Sequence, residues 1–275
     1  MNSTDLELDP SLRPSREELL AEFGEGDFSV QSLFEFCFVP VGRLSLLKEL
    51  ALDEDWGTGD VVLLKYLARH LRLEIEQGRY VWNEDQIVLR AGDLRSTTGV
   101  PIYVGLVRNF TSDENPWAMN WVGDRPRCSE RPELAELSIW PELDPAAEIV
   151  LGFNVDHGER LMRIPSLAEA SSQIQISALI GACHFALHRG LAVPHEHNAA
   201  PGYFLPIFLS SCADLSAAPD MVCSVFAHHN QTLIHAVLDP HIAYGPARAV
   251  VARSENLPNW LLEAWSAIEV ETEDD

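Results

Sequence analysis

Apolar residues recur at helical spacing in three stretches of the first third of the chain. Residues 15–18 match a capping box, in which the serine and glutamate side chains each accept a hydrogen bond from the other residue's backbone N–H. They predict the start of a short helix. A leucine-rich stretch over residues 44–51 predicts a second helix. A third begins near Asp60 and ends near Gly78, since glycine commonly follows the last turn of a helix.

β-Branched and alternating apolar runs predict strands along the rest of the chain. Two short strands at 79–82 and 86–90 are joined by a turn and follow the third helix, an order that resembles a winged helix. Further strands are predicted at residues 102–107, 118–122, 149–155, 203–209, 221–227, 232–238 and 247–251. The strands at 221–227 and 232–238 are predicted to form a hairpin around His229-Asn230-Gln231. Pro206 indicates a sheet edge or a bulge. Two further helices are predicted at residues 132–140 and 173–188.

This order of elements predicts an α+β fold. Strands separated by only a few helices favour a mostly antiparallel sheet packed against those helices, with a small helical, winged-helix-like N-terminal part. The ends of the chain are acidic and polar, as is typical of flexible tails. We predict a tail over 1–12, a helical N-terminal subdomain with a hairpin over 13–98, an α+β core over 99–265 and an acidic tail over 266–275.

Charge narrows the classes of partner. The 275 residues include 42 acidic and 19 basic side chains, a net charge of -23, which disfavours direct binding to nucleic acid or to an anionic membrane. No apolar run approaches the roughly 20 residues of a membrane helix, and the acidic N-terminus does not resemble a secretory signal. The five cysteines are scattered and form no CxxC motif, so we expect reduced thiols in a cytoplasmic protein.

One polar cluster follows the strand predicted at 149–155. It contains Asn154, Asp156, His157 and Arg160. Asp156 could orient His157 or ligate a cation, and His157 could act as general acid or base because the ordinary pKa of histidine, about 6.5, lies near neutrality. Arg160 could hold a phosphate or carboxylate through its planar fork. The packing alternative is that Asp156 caps the turn after the strand and pairs with Arg160.

A second polar cluster follows the strand predicted at 232–238. Asp239, His241, Tyr244 and Arg248 supply a carboxylate, an imidazole, a phenol and a guanidinium that could converge on a small anionic ligand. In the packing alternative, Asp239 and Arg248 form a buried ion pair and Tyr244 is a packed ring with one hydrogen bond. Asp156, His157 and Asp239 are the catalytic candidates, and Asn154, Arg160, His241, Tyr244 and Arg248 are the ligand-binding candidates.

Histidines are concentrated in the second half of the chain, with nine of the ten at or after His157. His184 and His188 share one helical face at i, i+4, a spacing that can bind metal. No HExxH motif accompanies them, so no metal site is predicted. The cofactor, if one exists, is not identified by any motif.

Several short motifs occur in an order that resembles one family. They include Leu64-Lys65-Tyr66-Leu67, Ile102-Tyr103, Asn154-Val155-Asp156-His157, Ala192-Val193-Pro194, Leu205-Pro206-Ile207, Val237-Leu238-Asp239 and Ala247-Arg248. Over about residues 44 to 262 the chain resembles the domain of unknown function 3825 family. Some relatives are fused to nucleic-acid-binding modules, so the resemblance implies a nucleotide or RNA context. The chain departs from the family at 188–191, where relatives carry a basic, Tyr-containing stretch.

Two functions of different class fit these residues. The first is binding of a small anionic or nucleotide-like ligand in a His/Asp/Arg pocket. The second is a hydrolase or transferase on a nucleotide or RNA-derived substrate, with His157 as general base and Arg248 stabilising anionic charge. A third possibility is a protein-interaction domain that uses the region of Trp117 and Trp121. The sequence predicts no oligomeric state.

Overall fold

The computed structural model describes residues 13–24, 29–51, 54–57, 59–83, 85–111, 115–126, 128, 130–152, 158–197, 200–211 and 214–273. The chain divides into two compact units, Met1–Leu137 and Ser138–Asp275. Each unit contains a five-stranded, mostly antiparallel sheet and several helices, which confirms the predicted α+β class. In the described part of the chain, no helix has the length and hydrophobicity needed to cross a membrane.

In the described residues of the first unit, four helices accompany a sheet of order β1-β5-β4-β3-β2. The helices are α1 (Arg16–Phe23), α2 (Val30–Phe36), α3 (Val41–Leu50) and α4 (Val61–Glu76). The strands are β1 (Cys37–Phe38), β2 (Val81–Asn83), β3 (Gln86–Arg95), β4 (Pro101–Arg108) and β5 (Trp117–Gly123). The predicted capping box at residues 15–18 is present, with both reciprocal hydrogen bonds.

Helix α4 is the centre of the first unit. It is buried on nearly all sides from Val62 to Ile75, and it packs against β3 as well as against α1 and α2. Gly78 ends the helical segment with φ 66°, a left-handed conformation that glycine adopts without steric cost. The hairpin expected after this helix is β2 with β3, but pairing continues into β4 and β5, so the hairpin is part of a larger sheet.

The second unit has a sheet of order β6-β10-β9-β8-β7. Its strands are β6 (Glu148–Leu151), β7 (Val193–His197), β8 (Ala200–Ile207), β9 (Met221–His228) and β10 (Gln231–Leu238). Its helices are α5 (Gly158–Met162), α6 (Ser172–His188), α7 (Tyr244–Val250) and α8 (Asn259–Glu273), with short 3₁₀ turns at Pro240–Ala243 and Ser254–Asn256. All pairs in this sheet are antiparallel except β6 with β10.

Helix α6 forms a core with one face of this sheet. Leu179, Cys183 and Ala186 of the helix are fully buried in the same cluster as Cys223 and Val225 of β9. The predicted hairpin between β9 and β10 is confirmed. Its two-residue turn places His229 at φ 53°. Pro206 lies in β8 beyond Phe204, the last β8 residue in register with β7, so its missing N–H breaks no bond to that strand.

The division of the chain differs from the one predicted at residues 98–99. Strands β3 and β4 flank that point and pair with each other, from Gln86 with Val107 to Arg95 with Pro101. A boundary there would cut a continuous hairpin. The structure therefore places the division at Leu137. The N-terminal tail predicted over 1–12 lies outside the described residues.

The prediction of a helix at 132–140 is wrong, because this segment has no regular secondary structure. Its backbone is instead bound by side chains at the end of α4. Ala135 N donates to Glu74 Oε1 at 3.2 Å, and Glu136 N donates to Gln77 Oε1 at 2.7 Å. Gln77 Nε2 donates in return to the carbonyl of Glu136 at 2.7 Å. These tertiary hydrogen bonds replace those that a helix would have made.

Two predictions at the C-terminal end are also wrong. Residues 247–251 were expected to form a strand, but Tyr244–Val250 is the helix α7, entered from the 3₁₀ turn that begins at Pro240. The expected tail over 266–275 overlaps α8, which continues to Glu273. α8 packs against the 3₁₀ turn and against α7.

Candidate functional site

Arg160 and Asp239, one residue from each polar cluster of the sequence, meet at one end of the second sheet. β6 and β10 are parallel neighbours, with Leu151 opposite Ile234. Residues that follow these strands therefore emerge at a common edge, and the carboxyl ends of parallel strands are a frequent location for ligand sites in α/β sheets. The chain after β10 continues directly into Asp239, and α5 is the next described element after β6.

At this edge two arginines of the α5 segment approach one carboxylate. Arg163 Nη1 donates to Asp239 Oδ1 at 3.2 Å, and Arg160 Nε lies 3.7 Å from the same oxygen. The side chain of Arg163 is 61% exposed, whereas those of Arg160 and Asp239 are 26% and 31% exposed. The packing alternatives paired Asp156 with Arg160 and Asp239 with Arg248, yet the structure brings Arg160 to Asp239. We call Arg160, Arg163 and Asp239 the arginine cluster.

Arg163 was not among the sequence candidates. The sequence feature that could have identified Arg163 is its spacing, because an arginine three residues after Arg160 lies on the same side of a helical turn. Two guanidinium groups against one carboxylate leave one excess positive charge.

The other candidates of the second polar cluster are divided between the surface and the core. His241 lies in the 3₁₀ turn and is half-buried. Tyr244 and Arg248 of α7 are fully buried. The Tyr244 ring stacks on Trp265 of α8 with centroids 4.4 Å apart, and Arg248 Nη1 donates to the carbonyl of Val251 at 3.1 Å. Both side chains contribute to the packing of the terminal helices.

Three candidates, Asn154, Asp156 and His157, lie outside the described residues. Their predicted roles, including that of His157 as general base, stay predictions. His157 directly precedes Gly158, the first residue of α5, so it is two peptide bonds before Glu159 and three before Arg160.

A second polar group was not predicted, and it lies inside the same sheet. His195 of β7 and Ser224 of β9 share a hydrogen bond of 2.9 Å between Nε2 and Oγ, and both side chains are buried. The imidazole stacks on Phe204, with centroids 3.8 Å apart. Burial lowers the pKa of His195 to about 4, so the ring is neutral near pH 7. The only sequence feature that could have indicated this buried pair is the high number of histidines in the second half of the chain.

Further histidines surround this buried pair. His197 of β7 and His235 of β10 are exposed, and their ring centroids are 5.1 Å apart although two strands separate β7 from β10. Phe226 of β9 meets both His195 and His235 edge to face. Gly202 of β8 permits this, because a Cβ there would lie 2.7 Å from Cε1 of Phe226.

The i, i+4 spacing of His184 and His188 on α6 does not produce a compact group. His184 and His188 stack with centroids 6.5 Å apart. Across the described residues, no group of three or more His, Cys, Asp or Glu side chains is arranged to hold a metal ion.

Comparisons of this chain with protein-family models, with curated proteins and with solved structures find no match. The resemblance to the domain of unknown function 3825 family therefore stays a prediction.

Proposed function

We propose that this protein binds a small anionic ligand, a phosphate or carboxylate compound, at the arginine cluster. The observation that carries the proposal is the convergence of Arg160 and Arg163 on a single oxygen of Asp239. Planar guanidinium groups bind carboxylates and phosphates in the same geometry. The Asp239 carboxylate thus occupies a position that a ligand anion could take or share.

The partial exposure of these side chains favours replacement of the Asp239 carboxylate by a ligand anion. Ion pairs between partly exposed side chains contribute only about 0–1 kcal/mol, so breaking the contact between Arg163 and Asp239 costs little. A phosphate with two or more charges would interact more strongly with the two guanidinium groups than the single charge of Asp239 does. The phosphate or carboxylate could be part of a nucleotide, which is the ligand class implied by the sequence resemblance.

Loss of either arginine is expected to weaken anion binding by a factor of about ten or more, since a hydrogen bond to a charged group contributes roughly 1.5–3 kcal/mol. The measurement is titration calorimetry of the full chain with inorganic phosphate, pyrophosphate, citrate and adenosine monophosphate. The variants are Arg160→Gln and Arg163→Gln. Arg189→Gln makes the same charge change at the end of α6 and is the matched control.

Retained affinity in both cluster variants, or an equal loss in the control, would contradict the proposal. So would the absence of binding by every anion in the series. The control matters because an unspecific charge effect would lower affinity in all three variants alike.

Asp239→Asn separates the binding function from the catalytic alternative. If Asp239 competes with the ligand for the two arginines, its neutralisation is expected to tighten anion binding several-fold. If Asp239 acts in a hydrolase or transferase with His157, the same change lowers turnover of a nucleotide substrate, and His157→Ala lowers it as well. Weaker anion binding in Asp239→Asn, without turnover in the parent protein, would contradict both functions.

A further inference from the structure

A pair of exposed histidines on the second sheet has the separation of two ligands of one metal ion. His197 and His235 come from strands at positions one and four of the order β7-β8-β9-β10, yet their ring centroids are only 5.1 Å apart. This site is independent of the arginine cluster, which contains neither residue. The two rings meet at 46°, so they are not stacked face to face.

The distance between the His197 and His235 rings matches that expected for two imidazoles bound to one metal ion. A transition metal lies about 2.0–2.1 Å from the nitrogen of an imidazole, and therefore roughly 3.2 Å from the centre of the ring. Two rings at a tetrahedral angle then have centres about 5.2 Å apart, close to the 5.1 Å between His197 and His235.

The other histidine pairs fit this geometry less well. Two rings that share one metal have centres at most about 6.4 Å apart, when the angle at the metal is 180°. The centroids of His184 and His188 are 6.5 Å apart, beyond that limit. His228 and His229 are 4.4 Å apart but meet at 74°, edge to face, which directs the edge of one ring at the face of the other.

The surroundings hold the pair in place. Phe226 packs edge to face on His235 at 5.4 Å and 90°, and a larger residue at Gly202 would collide with that phenyl ring. His195 of the same sheet is buried and shares its Nε2 with Ser224. This nitrogen is therefore not accessible to an ion bound at the exposed histidine pair.

We infer that His197 and His235 bind one divalent transition-metal ion, Zn²⁺ or Cu²⁺, with the remaining coordination positions filled by water. Neutral imidazole suits both ions. Because no third protein ligand is placed with them in the described residues, the ion keeps open positions. The chain's net charge of -23 favours the approach of a cation.

The test is titration of the untagged chain with Zn²⁺, monitored by calorimetry, and with Cu²⁺, monitored by electron paramagnetic resonance. The parent protein is expected to bind one equivalent of each ion, with two nitrogen ligands visible in the copper spectrum. His197→Ala and His235→Ala should each lower affinity at least tenfold and leave one nitrogen ligand. His188→Ala and His228→Ala are matched controls and should bind as the parent does.

The following results would overturn the inference. They are absence of binding in the parent protein, parental affinity in His197→Ala and His235→Ala, and loss of binding in either control. Circular dichroism of each variant shows whether it is folded. A His197→Gln variant that folds and binds metal with parental affinity would also overturn the inference.

Discussion

Gly92→Ala is expected to destabilise the first unit by about 2–5 kcal/mol. Gly92 has φ 56°, where an alanine costs roughly 1–2 kcal/mol. Its added Cβ would lie 2.3 Å from Tyr66 Oη and 2.8 Å from two atoms of the His70 ring. These rings stack on each other inside the unit, so neither can move freely, and overpacking of this kind costs about 1–3 kcal/mol more.

Gly99→Ala is the matched control for this variant. Gly99 has φ 77°, but no atom lies within 4 Å of the position of its Cβ. It should therefore show only the conformational cost of about 1–2 kcal/mol. Urea unfolding of the full chain measures both variants. Equal destabilisation of the two would show that the close approach of Tyr66 and His70 has no energetic effect.

A second substitution gives an independent check of the same contact. Tyr66→Phe removes the oxygen that collides with the new methyl group, although it also removes the acceptor of the Asp93 N–H at 3.2 Å. The combination of Gly92→Ala with Tyr66→Phe is expected to lose less stability than the two single effects added together. Strict additivity would contradict the steric explanation.

The stability of the protein is expected to fall as pH rises from about 4.5 to about 8 because of Glu74. This carboxyl is fully buried at the end of α4, and burial raises its pKa to about 8, against the opposing effects of the Ala135 hydrogen bond and of Arg90 and Arg79. The folded chain thus keeps a proton that the unfolded chain loses near its ordinary pKa of 4.5. Where the unfolded state binds fewer protons, stability decreases with pH.

The slope from this one group approaches about 1.4 kcal/mol per pH unit between those limits and vanishes above about pH 8. Glu74→Gln removes the titrating group while retaining an acceptor for Ala135 N, so the variant should lose this slope and exceed the parent in stability at pH 8. Urea unfolding at a series of pH values measures the effect. Glu76→Gln, a half-exposed neighbour on the same helix, controls for net charge. Parallel pH profiles for the parent and Glu74→Gln would contradict the assignment.

Local sequence signals predicted the elements whose ends are determined by their own residues. The capping box at residues 15–18, Gly78 after α4 and the hairpin turn at His229 are of this kind. Residues 132–140 were misassigned because their backbone partners are Glu74 and Gln77, far away in sequence. No helical propensity scale contains that information.

The candidate site shows the same limit. The sequence identified Arg160 and Asp239 as functional candidates, but their contact depends on β6 lying parallel to β10. The sheet was predicted to be mostly antiparallel, and the sequence did not indicate which pair of strands is parallel. Tyr244 and Arg248 were grouped with Asp239 because they are near it in sequence. The helix α7 instead buries them against its neighbours, and the residue pattern at 247–251 had suggested a strand.

The outer strand β7 also has a consequence for the solubility of the sheet. An edge strand exposes unpaired N–H and C=O groups to which another chain can add. β7 has only five residues, and Pro194 deprives it of one donor. Helix α7 packs against the same strand. Addition of a further strand at this side is therefore disfavoured, and edge-to-edge aggregation of the second sheet through β7 is suppressed.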